Sequence, residues 1–418
     1  MVTVGGQKRR ERGMSLRGRV ALAAGAGARW ASRVTGRGAG AMIGGLVAMT
    51  LDRSILGQLG RDRRTVVITG TNGKSTTTRM TAAALATLGP VATNAEGANM
   101  DAGLVAALAA KPDATLAALE VDEMHVPHVV DAIPAAVIVL LNLSRDQLDR
   151  VGEINHIERT LRAGLARHPS TVVVANCDDV LMTSAAYDNP HVVWVAAGGG
   201  WAGDSVSCPR SGEVIVRDGR HWYSTGMDFK RPDPDWWFDD THIHGPDGLS
   251  LPMTLTLPGT VNRGNATQAV AAAVTLGADP ASAVAAVSAV DEVAGRYRTV
   301  RVGSHTVRVL LAKNPAGWQE ALSMVDRDAA GVVIAVNGQV PDGEDLSWLW
   351  DVRFEHFDTV KVVAAGERGT DLAVRLGYAG VEHTLVHDTV DAIASCPPGH
   401  VEVLANYTAF LQLNRRLP

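Results

Sequence analysis

The run Thr69-Gly70-Thr71-Asn72-Gly73-Lys74-Ser75-Thr76 constrains the fold of this chain more than any other segment. An apolar β-type run, Thr65 to Thr69, leads into it, and a helical pattern, Ser75 to Leu88, leads out. In that order the pieces predict a turn whose backbone N–H groups gather at a helix start, where they and the positive end of the helix dipole attract phosphate. Lys74 supplies charge for the outer phosphate oxygens, and the Ser75 hydroxyl is placed to hold Mg²⁺. The segment departs from the general Gly-x4-Gly-Lys-Ser pattern, because Ile68 stands where the first glycine is expected.

A loop of this kind needs a parallel sheet to carry it, and the neighbouring text supplies one. Apolar runs at Thr115 to Glu120, Ala135 to Asn142 and Thr171 to Asn176 alternate with helix-like segments, the pattern of a doubly wound α/β sheet. Between Trp194 and Leu257 the alternation stops and Gly, Pro, Asp, Trp and His take over, which predicts an insertion of small β-hairpins at about 198–250. Helical patterning returns at Asn262 to Leu276 and Pro280 to Val290. A second strand–helix series follows, with strands near Val307 to Leu311, Val332 to Asn337, Val360 to Ala364 and Val401 to Ala405. The expected organisation is a basic, Gly/Ala-rich segment over 1–60, a nucleotide-binding α/β domain over 61–296, and a C-terminal α/β domain over 297–418. The length of 418 residues agrees with more than one core.

Composition narrows the class. With 46% hydrophobic and 20% charged residues the chain is too apolar to be disordered. A net charge of -5 gives no reason to expect nucleic acid, although Lys8 to Arg12 is a basic run and arginines are scattered after it. Three cysteines cannot make a disulfide framework, and no signal peptide follows the basic start, so the cytoplasm is the expected compartment, with the inner membrane face as a place of work. The Gly-rich stretch Ala39 to Leu51 is shorter than the roughly 20 residues a spanning helix needs.

The form Thr-Gly-Thr-Asn-Gly-Lys-Ser-Thr is narrower than the general loop and resembles that of the Mur ligase superfamily. The resemblance implies a ligase using ATP and Mg²⁺, with Gly70, Thr71, Asn72, Gly73, Lys74, Ser75 and Thr76 around the phosphates. It implies that Asn99 approaches the adenine and that Glu120, at a strand end, binds Mg²⁺ together with Ser75. Asn142 to Arg150 resembles the family's Asn-x-x-x-Asp-His-Leu-Asp, with Asp146 retained and Gln147 in place of the histidine, which puts a second metal site in doubt. Asn262 and Asn265 match the family's helix-opening asparagines, and Gly295-Arg296 matches its hinge, whose arginine reaches phosphate. Leu310 stands where ordinary members have a ribose-binding Asp.

Two features select a branch. Only about 64 residues precede the first strand, and they lack the βαβ pattern of a UDP-sugar domain. The segments Asn337-Gly338-Gln339, Asp342 to Asp351 and Gly366 to Leu376 resemble the branch that amidates the D-glutamate α-carboxylate of the peptidoglycan stem peptide, with lipid II as substrate and ammonia from a GatD-type glutaminase. Asp351 or Asp345 is then expected to be lent to the partner's Cys-His pair, with Asp351 favoured because Trp348 and Trp350 precede it. The same branch has a zinc ribbon in the insertion. Here its four positions resemble Cys208, Ser211, Ser224 and Met227, one thiol of four, so a degenerate ribbon without zinc is expected, with His221, His242 and His244 nearby. The alternative reading is an amino-acid-adding ligase of the Mur or folylpolyglutamate type, against which Leu310 and the missing UDP-sugar domain argue.

Overall fold

The computed structural model describes residues 14–34, 41–94, 97–145, 153–199, 202–291, 297–343, 345–355, 357 and 360–417. Its contacts form two compact units, Met1–Leu143 with Asn155–Asp291, and Ser144–Ile154 with Glu292–Pro418.

The first unit begins with three helices, α1 (Leu16–Val34), α2 (Ala41–Leu51) and α3 (Ile55–Gly60), in a stretch to which the sequence pattern assigned no elements. Alternation then sets in with β1 (Arg64–Thr69), α4 (Lys74–Ala86), β2 (Val91–Thr93), α5 (Asp101–Ala110), β3 (Leu116–Glu120), α6 (Val126–Ala132) and β4 (Ala135–Leu140). It continues through α7 (Glu153–Ala166), β5 (Val172–Asn176), α8 (Val180–Ala186) and β6 (Val192–Val195). The strands pair in parallel in the order β2-β3-β1-β4-β5-β6. Val66, Val67 and Ile68 of β1 are fully buried, as are Val137 to Leu140 of β4. Helices on both faces leave no solvated side, which is why these strands read as unbroken apolar runs instead of alternating ones. The chain runs from β1 to one edge and returns across it to the other, so the loop after β1 lies at the switch in direction, where open α/β sheets bind ligands.

The insertion holds a hairpin of β7 (Ile215–Asp218) and β8 (His221–Ser224), then an antiparallel sheet of β9 (Trp237–Phe238), β10 (His242–His244) and β11 (Ser250–Pro252). Trp222 and Phe229 pack with Val180 of α8, fixing the hairpin to the sheet's outer layer. Helices α9 (Thr260–Thr275) and α10 (Pro280–Ser288) close the unit.

The second unit contains β12 (Tyr297–Val302), β13 (His305–Leu311), α11 (Pro315–Met324), β14 (Gly331–Ala335), β15 (Val362–Ala365), α12 (Gly369–Tyr378), β16 (His383–Leu385), α13 (Thr389–Ala394), β17 (Gly399–Ala405) and α14 (Tyr407–Arg416). Its six-stranded sheet runs β12-β13-β17-β14-β15-β16, with only the β12–β13 pair antiparallel. Val332 and Ile334 enter one core and Val333 and Ala335 the other, the period of two expected of a central strand. Strand β12 lies where the sequence suggested a boundary between domains. Its Arg and Thr content hid the strand.

Candidate active site

Gly70 leaves β1 at φ 145°, and a Cβ there would lie 2.8 Å from the Leu141 Cβ, so the loop passes against the end of β4 with no room for a side chain. Asn142 clamps the next residues. Its carbonyl accepts the Thr71 N–H at 2.9 Å, its Oδ1 accepts the Asn72 N–H at 2.9 Å, and its Nδ2 donates to the Asn72 carbonyl at 3.0 Å. Gly73 then turns at φ 83°, a left-handed conformation that favours glycine, and Lys74 begins α4. A Cβ on Gly73 would meet the Asn265 amide at 2.9 Å, so Asn265 braces the loop from α9. It is held in turn by Asn262, whose Oδ1 accepts from its Nδ2 at 3.3 Å.

The Lys74 ammonium donates to the Gly70 carbonyl at 2.5 Å and pairs with Glu123 at 3.3 Å. Glu123, three residues past the strand end, is not among the residues that the sequence pattern singles out. The signal was the spacing of two carboxylates around a tight turn, Glu120-Val121-Asp122-Glu123. Glu120 itself ends β3 beside Ile68 of β1 and is 3% exposed. Asn94 exchanges two 2.8 Å hydrogen bonds with the Glu120 backbone, while the Glu120 Oε2 is buried with no hydrogen-bond partner. An oxygen-seeking cation fits that orphaned carboxylate oxygen, and a hard divalent ion with oxygen ligands is the one its chemistry suits. Ser75, at the start of α4, is partly exposed, and a Cβ placed on Gly97 would still be 3.9 Å from its hydroxyl. Asn99 lies on the same loop as Gly97, its carbonyl accepting from the Asp122 N–H at 3.3 Å. Thr76 is buried in the first turn of α4. Arg296, Asp146 and Gln147 lie outside the described residues.

Asp101, at the start of α5, binds His125 at 2.6 Å and His128 at 3.1 Å. Among the described residues this is the one group whose ligand atoms gather closely enough to hold a metal. Its evident structural work is to tie the turn that carries Glu123 to α5.

In the second unit the loop from Asn337 to Asp351 crosses the C-terminal ends of the strands, and most of its polar groups are spent on one another. The Asn406 side chain exchanges hydrogen bonds with the Asn337 backbone at 3.0 and 2.7 Å, and Asp342 accepts from the Thr408 N–H at 2.9 Å. Asp345 caps its own turn, accepting the Ser347 N–H at 2.8 Å, a bond that holds its carboxyl below the ordinary range. Trp348 stacks on Trp318 in the core with ring centroids 5.6 Å apart. Trp350 faces out, edge-on to Tyr378 at 5.3 Å, and both are exposed. Buried Arg375 fixes the segment between, donating to the carbonyls of Leu349 at 3.0 Å and Val352 at 2.7 Å. The half-buried Asp351 carboxylate has Arg145 3.8 Å away. Leu310 is buried in β13, opposite Leu404.

In the insertion, Cys208, Ser211 and Ser224 come together. The two serine hydroxyls are 3.3 Å apart. Burial pushes the Cys208 thiol up, but hydrogen bonds from Ser211 and Ser224 outweigh it and hold the thiol below its ordinary range. Met227 is partly exposed, and its carbonyl accepts the Phe229 N–H at 2.8 Å. His242 and His244 belong to the separate sheet of β9 to β11, where His244 stacks on Trp237 at 3.7 Å, and His221 is exposed on β8.

These arrangements have counterparts in known proteins. The model of the Mur ligase middle domain matches residues 68–273, and that of the MurT ligase C-terminal region matches residues 311–410. The chain is 29% identical to the lipid II isoglutaminyl synthase (glutamine-hydrolyzing) subunit MurT of Streptococcus pneumoniae, covering 91% of this chain and 93% of that one. It is 27% identical to the subunit of the same name from Staphylococcus aureus, covering 93% and 96%. Among solved structures, MurF of Acinetobacter baumannii superposes with a TM-score of 0.68 at 17% identity over 89% of this chain and 80% of that one. A pseudomurein peptide ligase type C from Methanothermus fervidus gives a TM-score of 0.68 at 16% identity, covering 87% and 80%. At such identities the last two show the fold alone. The chain belongs to the MurT branch of the Mur ligase family.

Proposed function

We propose that this chain is the ligase subunit of a lipid II isoglutaminyl synthase, which activates the D-glutamate α-carboxylate of the stem peptide with ATP and converts it to the amide of D-isoglutamine. The observation that carries this reading is the presence, in one chain, of a phosphate loop with its lysine and a buried, unpartnered carboxylate oxygen beside it, joined to a C-terminal unit of the MurT type.

A carboxylate does not react with ammonia as it stands. Transfer of the γ-phosphoryl group to one of its oxygens makes an acyl phosphate. Ammonia then attacks the carbonyl carbon, the C–O bond to phosphate breaks, and phosphate leaves with the electron pair while the amide loses a proton. Lys74 exchanges Glu123 for phosphate oxygens and offsets the charge that moves on to them. The backbone N–H groups of Gly73 to Thr76 and the hinge residue Arg296 share that work. Asn265 keeps Gly73 in its left-handed turn, and Asn99 borders the nucleotide's base. Glu120 and Ser75 are the residues that would hold Mg²⁺, which when bound neutralises triphosphate charge.

Ammonia at neutral pH is largely ammonium, which is not nucleophilic, so a glutaminase partner of the GatD type delivers it sheltered from solvent. Asp351 is favoured over Asp345 as the carboxylate that completes the partner's Cys-His pair. Asp345 is committed to the Ser347 N–H within its own turn, whereas Asp351 directly follows a core tryptophan and an outward one and has, among the described residues, only the longer 3.8 Å approach of Arg145. Cys208, Ser211 and Ser224, joined by hydrogen bonds, and Met227 take the positions of a ribbon that has lost its metal, because one thiol with hydroxyl and thioether neighbours is a poor zinc set. Elemental analysis should find less than about one zinc per four chains, and a stoichiometric content would overturn this view.

The deciding experiment supplies ATP, lipid II and ammonium and weighs the product. The reading requires exchange of one carboxyl hydroxyl for an amino group, with glutamine replacing ammonium only when the partner is present. A product enlarged by an amino acid would establish the amino-acid-adding alternative, and absence of any product would sink the ligase reading.

A further inference from the structure

Helices α1 and α2 are built inside out. On α1 the buried stripe is Gly18, Ala21, Gly25 and Ser32, whereas the opposite stripe exposes Leu16, Val20, Trp30 and Val34. Spacings of three and four put each set on its own face. Helix α2 repeats the arrangement, burying Gly44, Gly45 and Ala48 and exposing Met42 and Leu46. Small residues inside let the backbones touch. A Cβ on Gly25 would be 2.5 Å from the Gly44 carbonyl oxygen, and one on Gly45 would be 2.0 Å from that of Ala102 in α5. The hairpin is therefore docked firmly on the first unit while its large apolar side chains face away from it. Trp30 is 68% exposed and Leu16 78%. An ordinary surface helix does the reverse.

Charge says what covers this face. Residues 1–51 contain nine Lys and Arg against the single acid Glu11, a formal +8 in a chain whose total is -5. Residues 14–51 contain five arginines and no acid at all. No helix among the described residues is long and apolar enough to cross a membrane. Residues 1–13 and 35–40 offer only three large apolar side chains, Met1, Val2 and Val4, in their sequence. Apolar side chains that face outward within a field of arginines, too short to span, match the interface of an anionic bilayer, which takes the apolar stripe among its acyl chains and the arginines among its phosphates.

We propose that the α1–α2 hairpin is a membrane-surface anchor that seats the first unit on anionic lipid. The proposal rests on the reading of a lipid-borne substrate for its purpose, though not for its test.

The full chain is sedimented with vesicles of phosphatidylcholine alone and of phosphatidylcholine mixed with phosphatidylglycerol, with no substrate present. Wild type should bind the anionic vesicles at least about tenfold better than the neutral ones, and added salt should weaken that binding. The double variant Trp30→Glu, Leu46→Glu should lose about tenfold or more of the binding, while Leu88→Glu, an exposed leucine in the turn after α4, keeps it. The double variant should still amidate a lipid-free stem-peptide substrate at the wild-type rate. Absence of wild-type binding, or equal binding by the double variant, overturns the anchor. So does wild-type self-association that the double variant abolishes with vesicle binding unchanged, which would assign the face to a second copy. Loss of lipid-free amidation in a folded double variant also overturns it, by placing the face in the catalytic unit. Failure of wild type to amidate anything while it binds vesicles counts against the proposed function and leaves the anchor standing.

Discussion

The two sheets of this chain have similar parallel cores and opposite rims. At the C-terminal ends of the first, charged groups are held ready. Glu120 keeps a buried oxygen without a partner, and Lys74 is parked on the Gly70 and Thr71 carbonyls and a single carboxylate. At the corresponding ends of the second, Asn337 is bound to Asn406, Asp342 to Thr408 and Asp345 to Ser347, and Asp351 sits beside an outward aromatic pair. A rim that retains unsatisfied polar groups gives up stability for chemistry, because a buried unpaired carboxylate oxygen costs folding free energy. A rim whose polar groups satisfy one another is rigid and suits presenting a surface. On the proposed function, the same layer architecture would support a reaction on one unit and a partner-facing surface on the other.

The sharpest way to break this comparison is to remove the unsatisfied group. Glu120→Gln should lower ATP turnover and amidation by about 10²-fold or more while leaving the melting temperature unchanged or raised, because on the proposed function the side chain works on phosphate charge and its buried Oε2 has no hydrogen-bond partner. Lys74→Ala should abolish turnover to a similar degree but at some cost in stability, since it strands Glu123. Thermal melts beside an ATPase assay decide the matter. A destabilised Glu120→Gln with normal ATPase activity would mean that the carboxylate serves packing.

The second rim is tested by separating the two nitrogen sources. Asp351→Asn should reduce glutamine-dependent amidation by about 10²-fold, the scale lost when a triad carboxylate no longer orients its histidine, and leave ammonium-driven amidation largely intact. If both activities fall together, Asp351 belongs to the ligase reaction or the fold and the contrast between rims fails. If neither falls and Asp345→Asn produces the split, the role passes to Asp345 in spite of its cap.

What could be read from the sequence followed from how local each feature is. The phosphate loop was legible because Gly70, Gly73, Lys74 and Ser75 act through backbone geometry set by adjacent residues. The strands β1, β3, β4 and β5 were legible because both of their faces are buried. Glu123 was not, since its partner Lys74 is 49 positions away and nothing in a turn marks which carboxylate points back. The Asn142 clamp spans 70 positions and was equally hidden. Helices α1 and α2 were missed for a different reason. Periodicity arguments look for large apolar residues on the inner face, and here the inner face is glycine and alanine. The proposed degenerate ribbon is suggested in the sequence by Cys208 alone. The meeting of Ser211 with Ser224 is a matter of tertiary structure that two serines in a loop do not announce.

The smallest expected effect concerns Asp179, which ties the first rim to its outer layer. Its carboxylate accepts the Met182 N–H at 2.8 Å, capping α8, and the Leu143 N–H at 3.1 Å, just where the chain leaves the first unit. Burial pushes this carboxyl up to about 6, against the pull of those two N–H groups and of the Arg217 guanidinium on β7. A carboxyl raised in the folded state binds its proton more tightly there than in the unfolded chain. Folding is therefore favoured below the unfolded value, and this contribution is lost as pH climbs from about 4 to about 6. One group can impose a slope of at most about 1.4 kcal/mol per pH unit in that window. Asp179→Asn removes the titration, so the difference in unfolding free energy between wild type and variant should drift in the variant's favour from pH 4 to pH 6 and stay level above it. Because an amide nitrogen cannot accept an N–H bond, whereas both oxygens of the carboxyl can, the variant also starts with a deficit, so the informative quantity is the slope and not the offset. Denaturant titrations at half-unit pH intervals measure it. Parallel curves would show that Asp179 is as well solvated in the folded protein as in the unfolded chain, and the first rim would then have fewer strained polar groups than its contrast with the second implies.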